Sequence, residues 1–71
     1  MNHLEPFRAI PNDLIATTID RWIKGARNRE IMKDRLIDVM TYETIAEKYD
    51  LSPRYVKALI YRLENEVYDR L

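Results

Sequence analysis

Cysteine is absent from this chain, which removes disulfide staples, thiolate metal sites and cysteine nucleophiles together and is compatible with a reducing cytoplasm, the expected compartment. Glycine occurs once, so there is no glycine-rich phosphate loop. The one histidine, His3, has no second ligand at metal spacing and no nucleophile beside it, and a solvated side chain is expected there. Carboxylates are scattered over surface-type positions, so neither catalysis nor a bound cofactor or metal is expected. No apolar run is long enough to cross a bilayer or act as a secretory signal, and no membrane partner is expected. Net charge is lacking too. Twelve basic and twelve acidic side chains cancel, which argues against holding nucleic acid by bulk charge alone.

What remains is 71 residues, 46% of them hydrophobic, without internal repeats or low-complexity segments: the composition of one small helical domain. A core of this size is thin, so association with a partner or with a second copy as a homodimer would cover further apolar surface. Residues 1–11, MNHLEPFRAIP, hold two prolines and no sustained period; they read as an arm whose Phe7 and Ile10 tuck against a body spanning 12–71. Asn12 is the expected cap of a first helix carrying Leu14, Ile15, Thr18, Ile19, Trp22 and Ile23 at helical spacing, and Gly25 the left-handed residue that ends it. Trp22 is read as core in preference to a base-stacking platform or a partner anchor. A second helix is expected from about Asn28 to Met40, with Met32, Leu36, Val39 and Met40 on one face and Ile31 and Ile37 widening the stripe.

Thr41 to Arg62, TYETIAEKYDLSPRYVKALIYR, reads as two helices joined by a tight turn. Thr41 can cap the first, which stops near Asp50, and Ser52 followed by Pro53 is a restart signal: serine caps orphan amides and proline gives up an amide that had no partner. Ala46 is the small residue that lets the two helices approach, with Val56, Leu59 and Ile60 filling the contact. Val56, Ile60, Leu63, Val67 and Leu71 then step by three or four, carrying the last helix far enough to reach back over the first. The spacing predicts helices near 12–24, 28–39, 42–49 and 53–69 and no sheet, an all-α four-helix domain. Its C-terminal part, about 41–62, has the pattern of a helix-turn-helix with an extended recognition helix.

Tyr42, Glu43, Ile45, Ala46, Leu51, Ser52, Val56 and Lys57 resemble the helix-turn-helix of sigma-factor region four, over less than a third of the chain. Such motifs usually carry glycine in the turn where this chain has Asp50, which tolerates a left-handed backbone less readily than glycine but better than most residues. The resemblance implies a small transcription regulator of bacterial or phage origin, or the promoter-reading part of one, with RNA polymerase as a further partner. Sigma factors also carry a region that opens the promoter and binds the polymerase core, for which this length leaves no room. A complete sigma factor is not expected.

Charge distribution says more than its sum. Arg21, Lys24, Arg27, Arg29, Lys33 and Arg35 stand against Glu30 and Asp34, and Ser52 to Arg62 holds Arg54, Lys57 and Arg62 with no acid. Any one such cluster is ordinarily a solvated helix face; two flanking one motif favour double-stranded DNA as the partner. On that reading the helix headed by Ser52 enters the major groove with Pro53, Arg54, Lys57, Ala58 and Tyr61 toward the bases. Arg54 or Lys57 would donate to guanine and Ala58 touch a thymine methyl, while Arg62, Tyr42, Arg27 and Arg29 are candidates for phosphate. Glu64, Glu66 and Asp69 make the far end of that helix wet and acidic, where phosphate is repelled. Tyr61 and Tyr68 form a second stripe with three readings: cover for Leu4, Phe7 or Ile10, which is preferred, a self-association seam, or a phosphate contact through Tyr61. The alternative function is a protein-interaction module, an RNA polymerase adaptor or a packaging or recombination accessory, that uses this stripe on the same fold.

Overall fold

The computed structural model describes residues 7–71, so the expectations for His3 and Leu4 lie outside it. Four helices follow one another, α1 Asn12–Trp22, α2 Ala26–Leu36, α3 Tyr42–Tyr49 and α4 Pro53–Arg70, with no strand among the described residues. The Cα radius of gyration is 11.2 Å, and about 11 Å is expected of one compact domain of this length. No helix among the described residues is long and apolar enough to cross a membrane.

α1 begins differently from the expectation. Pro11, not Asn12, is the cap: the Pro11 carbonyl accepts from the amides of Leu14 and Ile15 at 3.1 Å each, so Asn12 is already inside the first turn and makes no capping bond. The other end differs as well. Ile23 turns extended (φ −93°, ψ 122°) to drive its side chain into the core, ending α1 at Trp22, and Gly25, at φ 90°, heads α2 instead of closing α1. Because Gly25 redirects the chain into α2, that helix starts two residues earlier than expected. It also stops earlier, at Leu36, where Val39 swings into the left-handed region (φ 54°) and out to solvent instead of joining the apolar face.

The α3–α4 connection follows its local signals. Thr41 Oγ1 accepts from the Thr44 amide and Ser52 Oγ from the Tyr55 amide, each at 3.1 Å, with Pro53 opening α4. Between them Asp50 is left-handed (φ 56°, ψ 49°) while the Leu51 amide reaches back to the Ala46 carbonyl at 2.8 Å, the hydrogen-bonding of a Schellman ending. Leu51 packs on the core beside it.

α4 packs on all three other helices, and Val56, Leu59, Ile60, Leu63 and Val67 form one buried stripe with Ile15, Ile19, Ile23, Ile31, Met32, Leu36, Ile45 and Ala46. Phe7 is buried, and its ring meets Tyr68 edge-on at 6.0 Å, so the arm's inner end does tuck against the body and Tyr68 covers it. Leu71 and Leu14 lie toward solvent, beyond the stripe expected of them. Trp22 departs most from expectation. It stands at the last turn of α1 and remains 45% exposed with the Arg70 guanidinium 4.1 Å over its ring.

Two stability outcomes follow. Val39→Gly removes a β-branched side chain from a left-handed backbone and sacrifices little packing, so it should raise the unfolding free energy by about 1 kcal/mol in denaturant titration. Ala46→Glu, placing a carboxylate where α3 crosses α4, should cost on the order of 5 kcal/mol and leave the chain unfolded by circular dichroism; a cooperative, undiminished melt would mean the helices do not meet there.

Candidate functional site

The buried stripe of α4 fixes which residues face away from the body. At about 100° per residue the opposite side carries Arg54, Ala58 and Asn65, flanked by Lys57 and Tyr61 on one hand and by Tyr55 and Arg62 on the other. Ser52, Pro53, Arg54, Lys57, Ala58 and Arg62 are all exposed, and the first turn holds no acid. The structure therefore gathers the α4 residues singled out from sequence onto one accessible surface, and adds Asn65 and Tyr55 to it.

Tyr42 and Tyr61 are half-buried against each other, ring centroids 6.2 Å apart and edge-on. The Arg35 guanidinium lies 4.3 Å over the Tyr42 ring and the Lys57 ammonium 5.7 Å from the Tyr61 centroid. Burial pushes the Tyr42 phenol above its ordinary range, with the Arg35 charge pulling the other way. Tyr61 thus packs on α3, not on the arm, and it is Tyr68 that covers Phe7. Glu64 is a correction: it is buried, not part of a wet acidic end, because it falls between Ile60 and Val67 on the core side of α4 and lies close to Tyr42.

The basic run from Arg21 to Arg35 divides into two sets. Arg29 Nη1 donates to the Ile23 carbonyl at 3.1 Å, satisfying the end of α1; Lys33 pairs with Asp20 at 2.8 Å; Arg35 Nη1 donates to the Met40 carbonyl at 2.8 Å. These three hold helices together. Arg21, Lys24 and Arg27 stay exposed, and the Arg27 guanidinium stands 3.5 Å from the Tyr55 hydroxyl at the head of α4. Of the two arginines in this run expected at phosphate, Arg27 borders the α4 surface and Arg29 is committed to backbone.

No family model matches this chain, and no curated protein or solved structure matches it. Its functional reading therefore rests on its own residues.

Asp34 is the residue that sequence reasoning missed. It is 4% exposed and accepts from Lys48 Nζ at 2.9 Å and Tyr49 Oη at 2.7 Å, tying α2 to the end of α3. A signal was present, an acid three residues after the core residue Ile31, but its partners lie far along the chain where no spacing rule points. The hydrogen bond to Asp34 raises the Lys48 pKa; burial, followed by the bond to Asp34, raises that of Tyr49. Folded pKa values above the unfolded ones mean stability that is complete below the unfolded values, about 10 for both groups, and lost as pH rises through the folded values. Thermal stability should therefore decline above about pH 10, with a smaller decline in Tyr49→Phe. Asp34→Ala should cost about 2 kcal/mol at neutral pH by chemical denaturation.

Proposed function

We propose that this chain binds double-stranded DNA with sequence preference, α3 and α4 acting as a helix-turn-helix and the N-terminal half of α4 lying in the major groove. The observation that carries this reading is the acid-free, outward surface of that half-helix, where Arg54, Lys57 and Ala58 are exposed with Arg62 at the edge. Arginine and lysine there can donate to the O6 and N7 acceptors of guanine, and a bare methyl can meet thymine. Ala46 and the short capped turn support it further: they hold α3 against α4 while leaving the reading side of α4 uncovered.

By the resemblance of Tyr42, Glu43, Ile45, Ala46, Leu51, Ser52, Val56 and Lys57 to sigma region four, the role proposed is that of a small bacterial or phage transcription regulator, with RNA polymerase as a second partner. A protein-interaction module is the competing reading, and the 54% exposure of Tyr68 is the observation in its favour.

Salt separates the two. Duplex DNA should bind with a log–log slope near −4, corresponding to roughly four or five neutralised phosphates. Lys57→Ala should flatten that slope by about one unit, marking a phosphate contact, or relax preference at one base pair by about 1–3 kcal/mol, marking a base contact, with folding unchanged. If instead DNA affinity is absent or indifferent to Arg54→Ala and Lys57→Ala, while Tyr68→Ala abolishes capture of purified RNA polymerase, the interaction-module reading stands in its place.

A further inference from the structure

The division of the basic run has a counterpart on α4. Lys24 and Arg62 line one open groove of about 300 Å³ with Trp22, Asn28, Leu63 and Glu66, and neither makes an ion pair among the described residues. Arg27, three residues after Lys24, stands 3.5 Å from Tyr55, and Tyr55 and Arg62 are two helical turns apart on the same flank of α4. The α1–α2 junction and this flank thus form one continuous strip carrying Lys24, Arg27, Tyr55 and Arg62. It is separate from the Lys57–Tyr61 flank, which faces α3.

We infer that this strip is a second anion-contacting surface, one that takes the sugar-phosphate backbone of duplex DNA beside the groove occupied by α4. The inference rests on the DNA-binding reading and adds residues to it. A helix lying in the major groove has a phosphate wall on each side, so a reading helix with cations on one flank alone would engage one wall. Lys24, Arg27 and Arg62 supply the other flank with three cations on long side chains that can adjust to phosphate spacing. They flank the outward side of α4 instead of lying along it, so their contribution is to affinity and orientation, not to sequence choice. Glu66 in the same groove marks where the strip ends, since its charge opposes phosphate. The arginines and lysine held by Ile23, Met40 and Asp20 are excluded from it although they belong to the same stretch of sequence.

The test compares full-length wild type with the Lys24→Ala/Arg27→Ala double variant and with Lys33→Ala, measuring affinity for a mixed-sequence duplex as salt is varied and thermal unfolding in parallel. The double variant should flatten the log–log slope by about two units and melt like wild type, whereas Lys33→Ala, which removes one positive charge already paired with Asp20, should leave the slope unchanged. A double variant with the wild-type slope, or a Lys33→Ala variant that loses a full unit, overturns the strip while leaving the reading of α4 intact. Absence of salt-sensitive duplex binding by wild type overturns both, so the two failures are told apart by the wild-type curve.

Discussion

An eight-residue helix has little stability of its own in water, because nucleation fixes several residues before the hydrogen bonds that reward it have formed. α3 has this length, and its existence depends on how it is held. Two adjacent residues of α2 hold its two ends. Asp34 accepts from Lys48 and Tyr49 at the C-terminal end, while Arg35 donates to the Met40 carbonyl just before the N-terminal end and covers the Tyr42 ring. Between these clamps Ile45 and Ala46 are buried, and the smallness of Ala46 sets how near α4 can come. The orientation of α4 is thus inherited from α2 through α3. A charged pair in α2 acts on the surface of a helix it precedes by almost twenty residues of chain.

Tyr61 joins that surface to the clamp. Its ring meets Tyr42, which carries Arg35 on one side, and Lys57 approaches Tyr61 from α4 itself. Cations resting on aromatic faces are restrained but still able to exchange their ring for a stronger anionic partner, because the attraction amounts to about 0.5–1 kcal/mol at an exposed site. Lys57 is therefore positioned without being consumed, unlike Arg29, whose bond to the Ile23 carbonyl closes the end of a helix. This contrast between restrained and committed cations distinguishes residues that the sequence alone presents as equivalent.

The local hydrogen bonds at the α3–α4 connection were legible in the sequence, whereas the start of α1, capped at Pro11 and not Asn12, was not. Thr41 and Ser52 cap their helices through amides three residues on, Pro53 occupies the first turn, and Asp50 takes the left-handed position between α3 and α4. Features that depend on how helices meet were not. Gly25 was assigned to the wrong helix because the inward turn of Ile23, which the core imposes, decides where α1 ends. Periodicity put Trp22 on the apolar stripe and so in the core, yet at the last turn of α1 it stays 45% exposed under the Arg70 guanidinium. Glu64 shows the reverse, a charged residue carried inward by its register between Ile60 and Val67. For the candidate site, the exposed positions of Arg54, Lys57 and Ala58 could be read from the α4 stripe; the mutual packing of Tyr42 and Tyr61, and the separation of Arg27 from Arg29, required the tertiary contacts.

A chain with no net charge can present a positive surface only by disposing of its acids elsewhere. Three devices accomplish this: Asp34 is buried against Lys48 and Tyr49, Glu64 is taken into the core side of α4, and Asp20 is paired with Lys33. Each also joins or packs helices, so the placement of these three acids is part of the fold itself. Near the head of α4 Arg27, Arg54 and Lys57 are exposed and its first turn holds no acid, while Glu66 and Asp69 stand in later turns. At physiological ionic strength charges are screened beyond about 8 Å, so the acids of the later turns weaken the field at the head of α4 far less than the formal sum suggests. Local arrangement, not the total, is what a polyanion approaching that end would meet.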